Sequence, residues 1–90
     1  MLIEFDEIKR AKTLEERGLD FADAGQVLDG PRLTQADERH DYNELRNVTF
    51  GTLGERMVVV VWTTRGAARR IISMRYANDR EIAKYADSLG

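Results

Sequence analysis

The run from Met57 to Thr63 constrains the fold of this chain more than any other segment. It places four consecutive valines between a methionine and a Trp-Thr pair, and β-branched and aromatic side chains favour extended backbone. An uninterrupted apolar run of this length is typical of a strand that is covered on both faces. A chain of 90 residues has room for one hydrophobic core. We therefore predict a single domain over residues 1–90, with this strand at the centre of its sheet.

Two helices are predicted before this sheet, after a short first strand at Leu2–Phe5. Asp6 can cap a helix that ends at Gly18. Asp20 can cap a second helix, which the Gly-Pro pair beginning at Gly30 stops. Residues that recur at helical spacing are expected to face the core. In the two helices they are Ile8, Ala11, Leu14, Phe21, Ala24, Val27 and Leu28.

Further strands are expected on both sides of the central run. The polar segment Arg32–Asn43 holds a short strand at Leu33, and Leu45–Phe50 forms another before a turn at Gly51–Gly54. After a second turn, the segment Arg69–Tyr76 alternates with the period of a strand. Its two faces are predicted to hold Arg70, Ile72, Met74 and Tyr76 on one side and Arg69, Ile71, Ser73 and Arg75 on the other.

A last helix is expected after Asn78, because Asn78 and Glu81 have the spacing of a capping box. Ile82, Tyr85 and Leu89 share one side of this helix. The order of elements is then βααββββα, which lacks the alternation of a parallel α/β fold. We predict an α+β fold with an antiparallel sheet of about four strands, two N-terminal helices and one C-terminal helix.

Charged residues are divided unevenly between the two halves of the chain. Residues 1–44 carry 6 basic and 12 acidic side chains and residues 45–90 carry 8 and 4, so the halves have formal charges of −6 and +4. Local fields steer charged ligands whatever the net charge of the protein. The basic half is therefore a candidate surface for an anionic partner, although interspersed charges also serve simply to solvate a surface.

Several functional classes are excluded. The chain has no cysteine, and its one histidine, His40, lies among acidic residues without the clustered ligands that zinc prefers. No phosphate-binding loop or nucleophile-elbow serine is present. We predict no metal and no cofactor. The longest apolar run is far shorter than the roughly 20 residues of a membrane span, so a soluble, cytoplasmic protein with no membrane partner is expected.

The arginines of the basic half are candidates for binding phosphate. Planar guanidinium groups hold phosphate bidentately and stabilise the charge that develops during phosphoryl transfer. They are Arg46, Arg65, Arg69, Arg70 and Arg75. RNA carries its own nucleophile, the 2′-hydroxyl, so an RNA-cleaving protein needs only to position the backbone, assist proton transfer and neutralise charge. The alternative is that these arginines pair with the acidic half of the chain.

Two kinds of side chain could assist such a site. His40 has the ordinary pKa range of a general acid or base, although a lone loop histidine is more often a solvated residue. Tyr76 and Tyr85 could stack on a base or contact phosphate, and for Tyr85 packing is the alternative role.

Motifs spread over nearly the whole chain resemble the BrnT family. They are Phe5-Asp6-Glu7-Ile8-Lys9, Gly18-Leu19-Asp20-Phe21 followed by Ala24, Glu44-Leu45-Arg46, and Arg70-Ile71-Ile72-Ser73-Met74-Arg75-Tyr76-Ala77 continuing through Glu81 to Tyr85. Each motif is weak alone, but their order and spacing together are fairly specific. Two positions depart from the family pattern: Phe5 replaces a tryptophan, and Glu16-Arg17 replaces a Lys-His step.

The resemblance implies a RelE-like fold and a ribonuclease toxin that inhibits translation. It also implies neutralisation by a BrnA-like ribbon-helix-helix antitoxin, in a complex of two toxins and two antitoxins that binds operator DNA through the antitoxin. The family's motif positions fall on Lys9, Arg46, Ser73, Arg75 and Glu81. The expected catalytic residues are Arg75, Arg46, His40, Lys9 and Glu81. The expected RNA contacts are Arg65, Arg70, Ser73, Tyr76 and Tyr85.

The altered Lys-His step leaves alternatives open. The chain could be a catalytically weak binding protein that acts mainly as the antitoxin's partner, or an interaction domain whose arginines are internal ion-pair partners.

Overall fold

A computed structural model describes residues 2–37 and 45–89 of the chain. The second helix is preceded by a 3₁₀ turn at Phe21–Asp23. The elements are β1 (Leu2–Phe5), α1 (Glu7–Arg17), α2 (Ala24–Asp29), β2 (Arg32–Asp37), β3 (Arg46–Leu53), β4 (Arg56–Arg65), β5 (Ala68–Tyr76) and α3 (Asp79–Leu89). The α+β class and the order of elements are confirmed. None of the described helices is long and apolar enough to cross a membrane.

The sheet has five strands in the order β1-β5-β4-β3-β2. The predicted central position of β4 is confirmed. The predicted four-stranded antiparallel sheet is wrong, because β1 joins the edge of β5 as a parallel fifth strand, which makes the sheet mixed. The parallel pairing has a physical reason: it turns Ile3 and Phe5 towards the buried cluster that contains Phe21. A four-residue strand carries no signal for which edge it will join.

Gly51 lies inside β3 rather than in the predicted turn at Gly51–Gly54. The strand continues to Leu53, and the chain turns at Gly54, whose φ is 64°. A Cβ on Gly51 would lie 2.7 Å from Cγ1 of Val27 and 3.1 Å from its carbonyl oxygen. The glycine is therefore required because α2 approaches the sheet closely. A strand glycine often marks such a close approach rather than a turn.

A β-bulge in β5 changes which of its side chains share a face. Val61 pairs with Ser73, but the next residue, Trp62, pairs with Ile71, so Ile72 is an extra residue between the two pairs. The predicted alternation of Arg69–Tyr76 is therefore wrong across this point. One face holds Arg69, Ile71, Met74 and Tyr76, and the other holds Arg70, Ser73 and Arg75. Bulges re-aim side chains in this way because they add one residue to a period of two.

Each face of the sheet has its own apolar cluster. We call one the α2 face, where Val58 and Val60 of β4 pack with Phe21, Val27 and other residues of the α2 region. The opposite side is the α3 face, where Phe50 and Val59 pack beneath Tyr85 and Leu89. The helix α3 lies over β2 and β3, whereas α1 contacts β5.

The helix α1 is held mainly by polar contacts. Asp6 accepts hydrogen bonds from the N–H groups of Ile8 and Lys9 at 2.8 and 3.2 Å, which confirms the predicted cap. The predicted inward positions of Ile8 and Leu14 are wrong, because these side chains are 82% and 43% exposed. None of the eleven residues of α1 is buried. Helical spacing indicates an apolar side but not whether another element covers it.

The close packing at Gly51 predicts that Gly51→Ala is destabilising. The added methyl group meets Val27, including its backbone, and cannot be accommodated without moving α2. We expect a loss of about 1–3 kcal/mol in the free energy of unfolding, the usual range for overpacking a core. Urea denaturation measures it.

Gly25→Ala is the matched control. The new Cβ would lie 3.7 Å from Cγ1 of Ile3, an ordinary contact, at a helical position. Alanine favours helix over glycine by about 0.8–1 kcal/mol, so this variant should be as stable as the parent or slightly more stable. Equal stability of all three proteins would contradict the packing described for Gly51.

Candidate active site

A cleft crosses the α3 face between α1 and α3. Its first cavity, of about 510 Å³, lies between α1 and strands β3, β4 and β5. The lining residues are Lys9, Lys12, Thr13, Glu16, Arg17, Asp37, Arg46, Val61, Ile72 and Ser73. The second cavity, of about 490 Å³, is lined by Gln35, Ala36, Asp37, Val48, Phe50, Arg75 and Glu81. Asp37 belongs to both, so the two cavities adjoin.

Arg75 and Glu81 form a bidentate ion pair in the second cavity. The two terminal nitrogens of Arg75 donate to Oε1 and Oε2 of Glu81, both at 2.8 Å. Glu81 also completes the predicted capping box, since it accepts from the N–H of Asn78 at 3.0 Å and donates its own N–H to Oδ1 of Asn78 at 2.8 Å. The start of α3 and the orientation of the Arg75 guanidinium are thus set by one carboxylate.

This arrangement determines the charge state of Glu81. The hydrogen bonds from Arg75, assisted by the Asn78 N–H, lower the pKa of Glu81 from 4.5 to about 2. The same pairing raises the pKa of Arg75. Both groups are therefore ionised at neutral pH, and Glu81 is poorly suited to exchange a proton there. Its geometry is that of a group that positions Arg75.

The first cavity gathers three more of the predicted site residues. Lys9 reaches it from α1, Arg46 from the start of β3 and Ser73 from β5. Arg46 lies directly opposite Asp37 in the antiparallel β2–β3 pair. The bulge at Ile72 is what puts Ser73 and Arg75 on the α3 face together with Arg46. Five predicted residues, Lys9, Arg46, Ser73, Arg75 and Glu81, therefore line one cleft, and His40 lies outside the described residues.

Arg65 and Arg70 lie beyond the two cavities. The Nε of Arg65 is 4.0 Å from Oε1 of Glu4, and Arg70 donates to the same oxygen at 3.4 Å. Arg69 points to the α2 face, where it lies 3.7 Å from Asp29 and 5.2 Å from the Trp62 ring. The alternative of ion pairing with the acidic half of the chain describes these three arginines well.

The two tyrosines predicted to contact RNA lie on opposite sides of the sheet. Tyr76 packs against the α2-face cluster, and the guanidinium of Arg56 lies 3.6 Å from its ring centroid. Tyr85 packs against Phe50 with ring centroids 4.2 Å apart, and its hydroxyl accepts from Gln35 at 3.4 Å. Tyr85 is thus at the edge of the second cavity, whereas Tyr76 is on the far side of the sheet from Arg75.

Sequence reasoning placed Lys9 of α1 in the site but missed Lys12 and Arg17. Both line the first cavity with Lys9, and Arg17 donates to the carbonyl of Met74 at 2.9 Å. At 3.6 residues per turn, Lys9 is about 60° from Lys12 and about 80° from Arg17 around the helix axis, so the three cations share about 140° of its surface. The three-residue step from Lys9 to Lys12 was the available signal. Within the described ranges, no group of three acidic or histidine side chains is placed to hold a metal ion.

The Arg75–Glu81 pair predicts a specific pH dependence of stability. Because folding lowers the pKa of Glu81, the ionised pair stabilises the fold above pH 4.5 and this contribution is lost as the pH falls towards 2. Arg75 is 42% exposed, so solvent screening limits the effect, and we expect Glu81→Gln to cost about 1–2 kcal/mol at neutral pH. Urea denaturation from neutral pH down to pH 2 measures the difference from the parent.

The exposed carboxylate of Glu15 provides the control, and Glu15→Gln should follow the parent at every pH. A difference between Glu81→Gln and the parent that stays constant down to pH 2 would show that the ion pair is not its source.

Comparison with known families agrees with the motifs quoted above. The model of the family described as the ribonuclease toxin, BrnT, of type II toxin-antitoxin systems matches residues 5–81. The match covers most of the chain and includes all five residues that line the cleft. A comparison with curated proteins finds no match. Because the family model spans strands β2 to β5, both N-terminal helices and the start of α3, this chain belongs to the BrnT family of ribonuclease toxins of type II toxin-antitoxin systems.

Proposed function

We propose that this toxin cleaves RNA without a metal ion, by attack of a 2′-hydroxyl on the adjacent phosphate. The 2′-oxygen forms a bond to phosphorus and loses its proton, the bond to the 5′-oxygen breaks, and that oxygen gains a proton. The products are a 2′,3′-cyclic phosphate and a 5′-hydroxyl end. The observation that carries the proposal is the convergence of Lys9, Arg46, Ser73 and Arg75 on one cleft.

The arginines would bind the scissile phosphate and the charge that develops on it. Arg75 is held in place by Glu81 before substrate arrives, so less reorganisation is needed at the moment of reaction. Arg46, across the cleft on β3, would supply the second phosphate contact, and the hydroxyl of Ser73 lies on the same face for a further hydrogen bond. In this assignment of roles, Glu81 positions Arg75 and does not transfer a proton.

Lys9 is the proposed group for assisting proton transfer, with His40 as the alternative. Lys9 is on the wall of the first cavity, and an ammonium group can donate to the leaving 5′-oxygen or stabilise its charge. His40 has the more suitable ordinary pKa. If Lys9 assists proton transfer, its removal lowers kcat, and if His40 does so, the removal of His40 lowers kcat.

As a member of a type II family, the toxin has an antitoxin partner. We propose a BrnA-like ribbon-helix-helix protein in that role, in a complex of two toxins and two antitoxins that binds operator DNA through the antitoxin. We also propose a RelE-like fold, inhibition of translation as the outcome, and action in the cytoplasm.

A second candidate function is binding with feeble catalysis. Two observations favour it: the Arg75 guanidinium is already paired with Glu81, and Arg17, which replaces the family's histidine, is attached to the Met74 carbonyl and cannot exchange protons at neutral pH. In this case the toxin would act mainly by occupying its antitoxin or RNA.

The cleavage proposal is tested with an end-labelled RNA and purified toxin in excess EDTA. The parent should cut the RNA, and Arg75→Ala should reduce the rate by about 10²-fold, the usual effect of removing one stabilising group from a transition state. Arg80→Ala, which removes an exposed cation of α3 that lines neither cavity, should retain parental activity.

Arg75→Lys separates a folding defect from a catalytic one, because it keeps the charge and loses the bidentate geometry. It should fold, with a melting temperature slightly below that of the parent, and still cleave slowly. A folded parent that leaves RNA intact in EDTA, and cuts it only with added Mg²⁺, would overturn metal-independent cleavage. A parent that is inactive under both conditions would support the binding function.

Proton transfer is tested by Lys9→Ala beside His40→Ala. We expect Lys9→Ala to lower kcat by about 10²-fold and His40→Ala to change it by less than about threefold, since general acid–base groups contribute roughly 10²–10⁴-fold. Single-turnover cleavage across neutral pH measures both. The reverse pattern, with a pH-dependent limb lost only in His40→Ala, would transfer the role to His40.

A further inference from the structure

The two adjoining cavities differ in charge. Lysines and arginines outnumber acids four to two in the lining of the first cavity, which adjoins α1. The second cavity has one arginine, Arg75, against Asp37 and Glu81. The chain as a whole has a net charge of −2, so the positive excess is concentrated beside α1. An anion in the cleft therefore meets its most favourable field away from Arg75.

The side of α1 that carries Lys9, Lys12 and Arg17, here called the α1 wall, has a fixed position relative to β5. Arg17 donates to the carbonyl of Met74 at 2.9 Å, next to Ser73 and Arg75 in sequence. At the other end of α1, Asp6 caps the first turn. Lys9, Lys12 and Arg17 thus project from a helix anchored beside the proposed cleavage point. A helix rises 1.5 Å per residue, so these cations extend over ~12 Å, longer than a single phosphate group.

Of the three cations on this wall, Lys12 is the one that can distinguish a second phosphate-binding position from the proposed cleavage point. It lines the first cavity, whereas Arg75 lines the second. It is exposed, and neither the predicted catalytic set nor the predicted RNA contacts include it. The predicted RNA contacts Arg65 and Arg70 instead lie beside Glu4, which offsets their charge.

We propose that Lys12, with Arg17, forms a phosphate-binding subsite for a nucleotide flanking the cleaved bond. This inference rests on the proposed function, since it takes the Arg75 end of the cleft as the cleavage point. The ligand class is the sugar–phosphate backbone of single-stranded RNA. The strand then runs along α1 across the α3 face rather than along the β4–β5 hairpin. Because Lys12 contacts a remote phosphate, it contributes to binding in the ground state and the transition state equally.

The test measures binding of a fluorescent 2′-O-methyl oligoribonucleotide, which lacks the attacking hydroxyl and so cannot be cleaved. Each phosphate contact adds about 0.7 to the slope of log K against log salt for a single strand. Lys12→Ala should therefore reduce the magnitude of the parental slope by about 0.7. Arg32→Ala, which removes an exposed cation at the start of β2 outside all the described cavities, should leave the slope unchanged. On cleavable RNA, Lys12→Ala should raise KM and leave kcat at the parental value.

The outcomes distinguish the subsite from the proposed function. If the parent binds the probe and cleaves RNA, but both variants keep its salt slope and KM, the subsite is overturned and the nuclease proposal stands. A fall in kcat without a change in KM would also overturn it, since Lys12 would then act at the reacting phosphate. A parent that neither binds the probe nor cleaves RNA would overturn both proposals.

Discussion

The burial of β4 on both faces is the constraint on which the rest of the structure depends. Its side chains enter two separate apolar clusters, with Val58 and Val60 on one side and Val59 on the other. Each cluster needs a cover, and α2 and α3 supply one each. Because α3 covers only the part of its face nearer to β2 and β3, the remaining area becomes the floor of the cleft. The position of the candidate site therefore follows from how the central strand is buried.

The Arg75–Glu81 pair connects this architecture to chemistry. One carboxylate both caps α3 and orients a guanidinium on the neighbouring strand. The start of the helix and the orientation of the Arg75 guanidinium therefore depend on the same carboxylate. The low pKa of Glu81, about 2, suits it to hold the neighbouring guanidinium rather than to exchange a proton at neutral pH.

Features encoded in a few adjacent residues could be predicted from the sequence, and features that depend on distant contacts could not. The Asp6 cap, the Asn78–Glu81 capping box and the buried β4 run each follow from local chemistry. The bulge at Ile72 does not, because a strand period of two holds only while the partner strand advances in step. The edge that β1 joins, and the exposure of Ile8, likewise depend on which elements happen to lie nearby. For the site, five of the predicted residues converge, whereas Lys12 was missed because it falls outside the motifs, and Arg17 because it departs from the family's Lys-His step.

The attachment of α1 by polar contacts separates the charge of the cleft from the packing of the core. None of its eleven residues is buried, so most substitutions on its surface leave the core packing untouched and change the free energy of folding by only about 0.5 kcal/mol. The same helix supplies one wall of the cleft. Substitutions that alter charge along this wall can therefore change the electrostatic field in the cleft almost independently of stability.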